Sequence, residues 1–121
     1  MHYYSSRNSE IKTTPSKAIL SGIAPDGGLF LPEKFPAGEI NIEDMIRMNN
    51  YEIAEKVLSA FFTDFISDEI KNIVKDSYSG TFESDDMAPL TKVGDKFVLE
   101  LYHGPTCAFK DVALSVLPRL I

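Results

Sequence analysis

NNYEIAEKVLSAFFTDFISDEIKNIVKDSY, Asn49 to Tyr78, is the most regularly patterned stretch of this 121-residue chain. Ala54, Val57, Leu58, Phe61 and Phe65 recur at three- and four-residue intervals, the spacing that gathers side chains on one face of an α-helix. Asn49 or Asn50 can cap its start. Ser67 reads as the cap of another helix, with Asp68 and Glu69 set against the positive end of its dipole. Ile70, Ile73, Val74 and Tyr78 form its apolar stripe, and Gly80 stops it. Two amphipathic helices so close in sequence bury their stripes against one another, so the stretch predicts a helical hairpin.

Upstream, Asn41 can cap a further turn of helix over IEDMIRM. Thr14-Pro15 followed by SKAIL and Gly22 reads as a cap, a proline at the first helical position and a glycine stop. Between these, Pro25-Asp26-Gly27-Gly28 is strong turn chemistry, and Leu29-Phe30-Leu31 before Pro32 is a short extended run, expected to be a buried edge.

Downstream, periodicity lapses over TFESDDMAP, residues 81–89, where acidic residues cluster before a proline, as at a domain boundary. Leu90 to Val93 and Phe97 to Tyr102 then flank Gly94-Asp95-Lys96 and predict a β-hairpin. Phe97, Leu99 and Leu101 share one face while Val98 and Tyr102 lie on the other, which predicts an interior strand. His103-Gly104-Pro105 is a turn, Thr106 reads as an N-cap, and AFKDVALSVL reads as a helix carrying Lys110 in its first turn.

Composition narrows the function. Twelve Lys and Arg against 18 Asp and Glu give a net charge of −6, so an extended phosphate backbone meets repulsion and nucleic acid is not expected as a partner. No apolar run approaches the ~18 residues of a membrane span, and the polar, aromatic opening has no basic segment leading into an apolar one. A cytoplasmic protein is expected. The lone Cys107 cannot form an internal disulfide, and two histidines, His2 and His103, make no metal-ligand cluster. Cys107 reads as a small buried hydrophobe and His103 as a turn residue bonded to backbone.

Lys110 is the residue whose position needs a reason, because a cation at a helix start faces the positive end of the dipole. The helix expected after it is apolar around most of its circumference, so the lysine would tend to be desolvated, and desolvation favours the neutral amine that attacks carbonyls. Most lysines near helix starts reach solvent instead, and spacing alone leaves that alternative open.

ELYHGPTCAFKDVAL, with APDGGLFLP upstream, YYSSRN at the start and YSGTFESDDMAPL between, resembles the N-terminal part of threonine synthases, pyridoxal-phosphate (PLP) enzymes of fold type II. The resemblance implies that Lys110 holds PLP as a Schiff base and that Phe109 contacts the cofactor. It implies a lyase that turns O-phospho-L-homoserine and water into L-threonine and phosphate. It also implies an α+β fold: a mainly helical small N-terminal domain with short strands over residues 1–84, then over 85–121 the first hairpin and helix of a truncated α/β PLP-binding domain. Family members are several times longer, so the chain is expected to be a piece that is inactive alone. Pro118 is expected to end or kink the lysine helix. Two alternatives remain: a related phospholyase that yields a 2-oxo acid, and a non-catalytic interaction module.

Overall fold

The computed structural model describes residues 1–84 and 86–121; Asp85, the first residue of the expected second part, lies outside the described residues. In chain order the elements are β1 (Tyr3–Ser5), β2 (Lys12–Thr13), α1 (Pro15–Ser21), β3 (Phe30–Pro32), α2 (Ile42–Met45), α3 (Asn50–Phe61) and α4 (Ser67–Tyr78). The hairpin β4 (Leu90–Val93) and β5 (Lys96–Leu99), α5 (Asp111–Leu114) and a 3-10 turn (Leu117–Arg119) follow. The fold is α+β: helices dominate, and the sheets are small and antiparallel.

Local hydrogen bonds at the helix starts explain most boundaries. The Asn49 side chain accepts from the Glu52 N–H at 3.0 Å while the Glu52 carboxylate accepts from the Asn49 N–H at 2.8 Å, so α3 starts with a reciprocal capping box. Asn41 caps α2 by accepting from the Glu43 N–H. Ser67 is not the cap of α4, as expected, but its first residue; Ile66 precedes it and the Glu69 carboxylate accepts from the Ile66 N–H at 3.0 Å. Half of a capping box suffices here, because Ile66 has no acceptor to return. α1 begins after Thr14 with Pro15 as expected, but its cap comes from a distance. The Asp64 carboxylate, just past α3, accepts from both the N–H and the hydroxyl of Ser16. Partial burial pushes the Asp64 pKa up, and the hydrogen bonds from Ser16 and Thr14 outweigh it and hold the carboxyl below its ordinary range.

α3 and α4 pack against each other as the patterning predicts. The core is the α4 stripe: Ile70 (1% exposed), Val74 (0%) and Tyr78 are buried, with Ala54, Leu58, Phe62 and Phe65 packed against them. Phe61 departs from the expected stripe and meets the Phe35 ring edge-to-face at 5.6 Å. The Tyr3 hydroxyl donates to the Phe61 carbonyl, so α3 also faces the N-terminal sheet. Two residues from the far end of the chain, Val116 and Leu120, complete the core.

The sheet β2-β1-β3 was not visible in the sequence beyond β3. β1 pairs on both sides, Tyr4 opposite Lys12 and opposite Leu31. The YYSSRN and APDGGLFLP stretches meet there. The buried Ser5 hydroxyl donates to the Asp26 carboxylate at 2.7 Å, the Gly28 N–H donates to the same group, and a Cβ on Gly28 would run into Ser5 Oγ. β3 is an edge, but an exposed one: Leu31 and the preceding Leu29 are open to solvent, since among the described residues β1 is its only neighbouring strand.

The β4-β5 hairpin forms with Val93 opposite Lys96, leaving a two-residue Gly94-Asp95 turn. Its strands are exposed, Phe97 at 64%, which corrects the expected interior strand. The apolar side chains on both faces have no third strand or covering helix among the described residues. No helix of the described residues is long and apolar enough to cross a membrane.

Burying an isoleucine side chain contributes about 1.5–3 kcal/mol, and emptying its place adds a cavity cost. Ile70→Ala is therefore expected to lower unfolding free energy by ~2–5 kcal/mol, read as a lower urea midpoint. Phe61→Ala, outside that cluster, should cost less.

Candidate functional site

Residues 103–111 form a looped turn rather than the start of a long helix. α5 begins at Asp111 and spans four residues, and the 3-10 turn that follows holds Pro118, so the helix ends before it reaches the proline expected to end or kink it. Lys110 stands immediately before α5, where its carbonyl accepts from the Ala113 and Leu114 N–H groups at 3.0 and 2.8 Å.

Asp111 organises the turn. Its carboxylate accepts from the Thr106 N–H at 2.8 Å and from the Thr106 hydroxyl, and it is buried. Thr106 therefore does not cap a helix from position 106; it ties the turn to the residue that begins α5. Gly104 lies so close that a Cβ there would stand 2.6 Å from the Asp111 Cβ, so no side chain fits. The Cys107 N–H donates to the Gly104 carbonyl, and Cys107 takes up a left-handed φ of 57° to close the turn. Cys107 is exposed, contrary to the expected burial, because it sits at the outer bend of this turn. The Thr106 hydroxyl, more than it is opposed by desolvation, holds the Asp111 carboxyl below the ordinary carboxylate range.

Lys110 and Phe109 project from this pinned turn and both are exposed, Phe109 at 65%. The expected desolvation of Lys110 is not found in this chain, since α5 is short and Val112, Leu114 and Leu117 are themselves open to solvent. Both residues border an apolar groove of about 650 Å³ whose other walls come from α3, Tyr78 and Leu120. Tyr78 fixes that wall through its hydroxyl, which donates to the Val112 carbonyl at 3.0 Å.

His103 enters the turn, and its imidazole lies between two carboxylates, Nδ1 2.8 Å from Glu83 Oε2 and Nε2 2.6 Å from Glu100 Oε2. This replaces the backbone bonding expected from the sequence. Among the described residues, no group of three metal-ligating side chains could hold a metal ion. The sequence singled out Lys110 and Phe109, placed Gly104 in a turn and read Asp111 as a complement to the helix N-terminus rather than as chemistry; it missed the tie of Asp111 to Thr106 and the parts of Glu83 and Glu100, since a Thr-to-Asp interval of five residues across a turn has no familiar pattern to signal it.

A family model described as "Threonine synthase N terminus" matches residues 2–78. Threonine synthase of Pseudomonas aeruginosa is 39% identical over 124 residues, covering 100% of this chain and 26% of that protein. Threonine synthase of Saccharomyces cerevisiae is 39% identical over 128 residues, covering 98% of this chain and 25% of that protein. The structure of PLP-bound threonine synthase from Brucella melitensis superposes with a TM-score of 0.84 at 38% identity, over 99% of this chain and 26% of that one. The chain thus spans about a quarter of the length of the relatives it matches. These likenesses place the fold in the class of enzymes that includes the PLP-bound Brucella melitensis protein. Within that class, the chain belongs to the threonine synthase family and matches its N-terminal part.

Because Asp111 is held below its ordinary range, its tie to Thr106 stabilises the turn at pH above that range and is lost as pH falls through the lowered value. Gly104→Ala should push the Asp111 carboxylate off Thr106. Carbonyl-detected NMR titration should then find Asp111 titrating at higher pH than in the unsubstituted chain, back toward an ordinary aspartate.

Proposed function

We propose that this chain supplies the N-terminal part of a threonine synthase, which converts O-phospho-L-homoserine and water into L-threonine and phosphate. In this reading Lys110 holds the PLP cofactor and Phe109 contacts it. The observation that carries the reading is the form of the turn. Asp111, Thr106 and Gly104 tie its backbone tightly while leaving Lys110 exposed beside an apolar groove, and among the described residues no carboxylate pairs with that lysine.

The residues present fit one end of PLP. An exposed amine on a fixed backbone suits a carbonyl partner, and the exposed Phe109 ring beside it offers an apolar surface to a flat heteroaromatic ring. A phosphate needs a cluster of free backbone N–H donors. The nearest approach to one in the described residues, Gly27-Gly28, has its N–H groups taken by the Ala24 carbonyl and the Asp26 carboxylate. The phosphate cradle therefore belongs to other parts of the enzyme.

PLP, when bound, supplies an electron sink for a carbanion at the substrate's α carbon. Lys110 contributes acid–base chemistry: once its amine is free, it takes and returns protons at the α and β carbons of the substrate. Asp111 does not reach the chemistry. It stays ionised on Thr106 and holds the lysine's backbone in place.

Lys110→Ala in the full-length enzyme is expected to reduce threonine formation by at least ~10²–10⁴-fold, the range of a lost acid–base group. Cys107→Ala should stay within a few-fold of the unsubstituted enzyme. Near-normal turnover without Lys110, or a 2-oxo acid as the product of the unsubstituted enzyme, would contradict the proposal.

A further inference from the structure

We infer that His103 is a positioning residue for the Lys110 turn, acting as an imidazolium clamped between Glu83 and Glu100. The inference rests on the reading of Lys110 as the reactive lysine, but its geometry stands apart from that reading. A neutral imidazole donates from one ring nitrogen only, and an ionised carboxylate only accepts. With Glu83 Oε2 2.8 Å from Nδ1 and Glu100 Oε2 2.6 Å from Nε2, both contacts are hydrogen bonds only when the ring carries two protons. Loss of one proton leaves a carboxylate facing a ring lone pair.

The clamp joins three parts of the chain. Glu83 lies in the segment after α4, Glu100 just past β5, and His103 at the mouth of the turn. The Glu83 N–H also donates to the His103 carbonyl at 3.1 Å, so these two positions are linked through backbone and side chain together. The residue next to His103 is Gly104, which touches Asp111. One end of the turn is thus held by His103 and the other by Asp111, with Lys110 between them. Water substitutes poorly for the Glu100 contact, because the His103 and Glu100 side chains are only 18% and 17% exposed; Glu83, at 76%, is the solvent-facing arm.

The ionisable groups facing the ring are Glu83, Glu100 and Tyr102, whose ring lies tilted by 34° against the imidazole with centroids 4.6 Å apart. Hydrogen bonding to Glu83 and then to Glu100 raises the His103 pKa above that of a free imidazole. Hydrogen bonds from Thr91 and then His103 lower that of Glu100. The stability from His103 is fully present below ~6.5 and is lost as pH rises through the raised value; that from Glu100 is present above the ordinary carboxylate range and lost below it. The clamp therefore closes between those limits and opens on the alkaline side.

The test is a pH titration of the isotope-labelled full-length enzyme by NMR, following the His103 ring and the backbone amides of Gly104 and of Thr106 to Lys110 together. The expected result is one shared midpoint above ~6.5 for ring and turn. In Glu100→Gln, and in the solvent-facing and structurally mild Glu83→Gln, the midpoint should fall by about one pH unit. In His103→Gln the turn amides should lose the transition and stay where the wild-type chain leaves them at high pH. Turn amides that do not move through the His103 transition, or a midpoint unchanged in both glutamine variants, would overturn the inference. Because nothing in this readout depends on turnover, its failure is separate from a failure of the Lys110 assignment, and the same titration in Lys110→Ala should give the same midpoint.

Discussion

Everything near the lysine depends on one joint: Val116 and Leu120 packing into the α4 stripe of Ile70, Val74 and Tyr78. Apart from the hydrogen bonds that Tyr78 and Glu83 make to Val112 and His103, the described segment from 86 to 121 has little else to hold it. Its hairpin is exposed on both faces, and α5 is only one turn long, too short to persist without tertiary contacts. Tyr78 serves the joint twice, burying its ring in the core and donating its hydroxyl to the Val112 carbonyl two residues after Lys110. Its burial raises the pKa of that hydroxyl, which keeps it a neutral donor. Loss of the apolar contact would free the lysine turn from the helical hairpin, whatever the state of the hydrogen bonds around Thr106.

The joint places the turn, and smaller polar contacts shape it. Asp111 closes the turn from within, through a donor pair on one residue and a glycine without room for a side chain. His103 holds the turn from outside through two carboxylates distant in sequence. Short, charge-assisted contacts of this kind fix geometry at little cost in apolar area, which suits a turn that leaves its lysine open. The large apolar surface on the hairpin, α5 and the groove is the other side of this arrangement. Proteins seldom leave so much exposed unless it meets another surface.

The legible parts of the fold were those whose causes are local. The caps at Asn41 and Asn49, the stops at Gly22 and Gly80, the α4 stripe and the two-strand hairpin each follow from residues within a few positions of one another. β1 and β2 were missed because three- and two-residue strands carry no readable alternation; they exist through pairing with β3 and through the Ser5 to Asp26 bond across 21 positions. Burial misled in the opposite sense. Phe97, Leu99, Leu31 and Val112 have interior character, but apolar sequence reports what a side chain favours, and exposure depends on which partners are there. At the site, Lys110 and Phe109 were reached through resemblance of a whole motif. The groups that hold them, Asp111 with Thr106 and His103 with two glutamates, depend on contacts that no periodicity encodes.

The central claim is that this turn presents Lys110 to the cofactor. The most direct measurement is chemical: load the full-length enzyme with PLP, reduce it with borohydride, digest it, and locate the pyridoxyl group by mass spectrometry. The account predicts the label on Lys110, in the peptide that contains Phe109 and Asp111. A stoichiometric label on another lysine, with Lys110 unmodified, would contradict it.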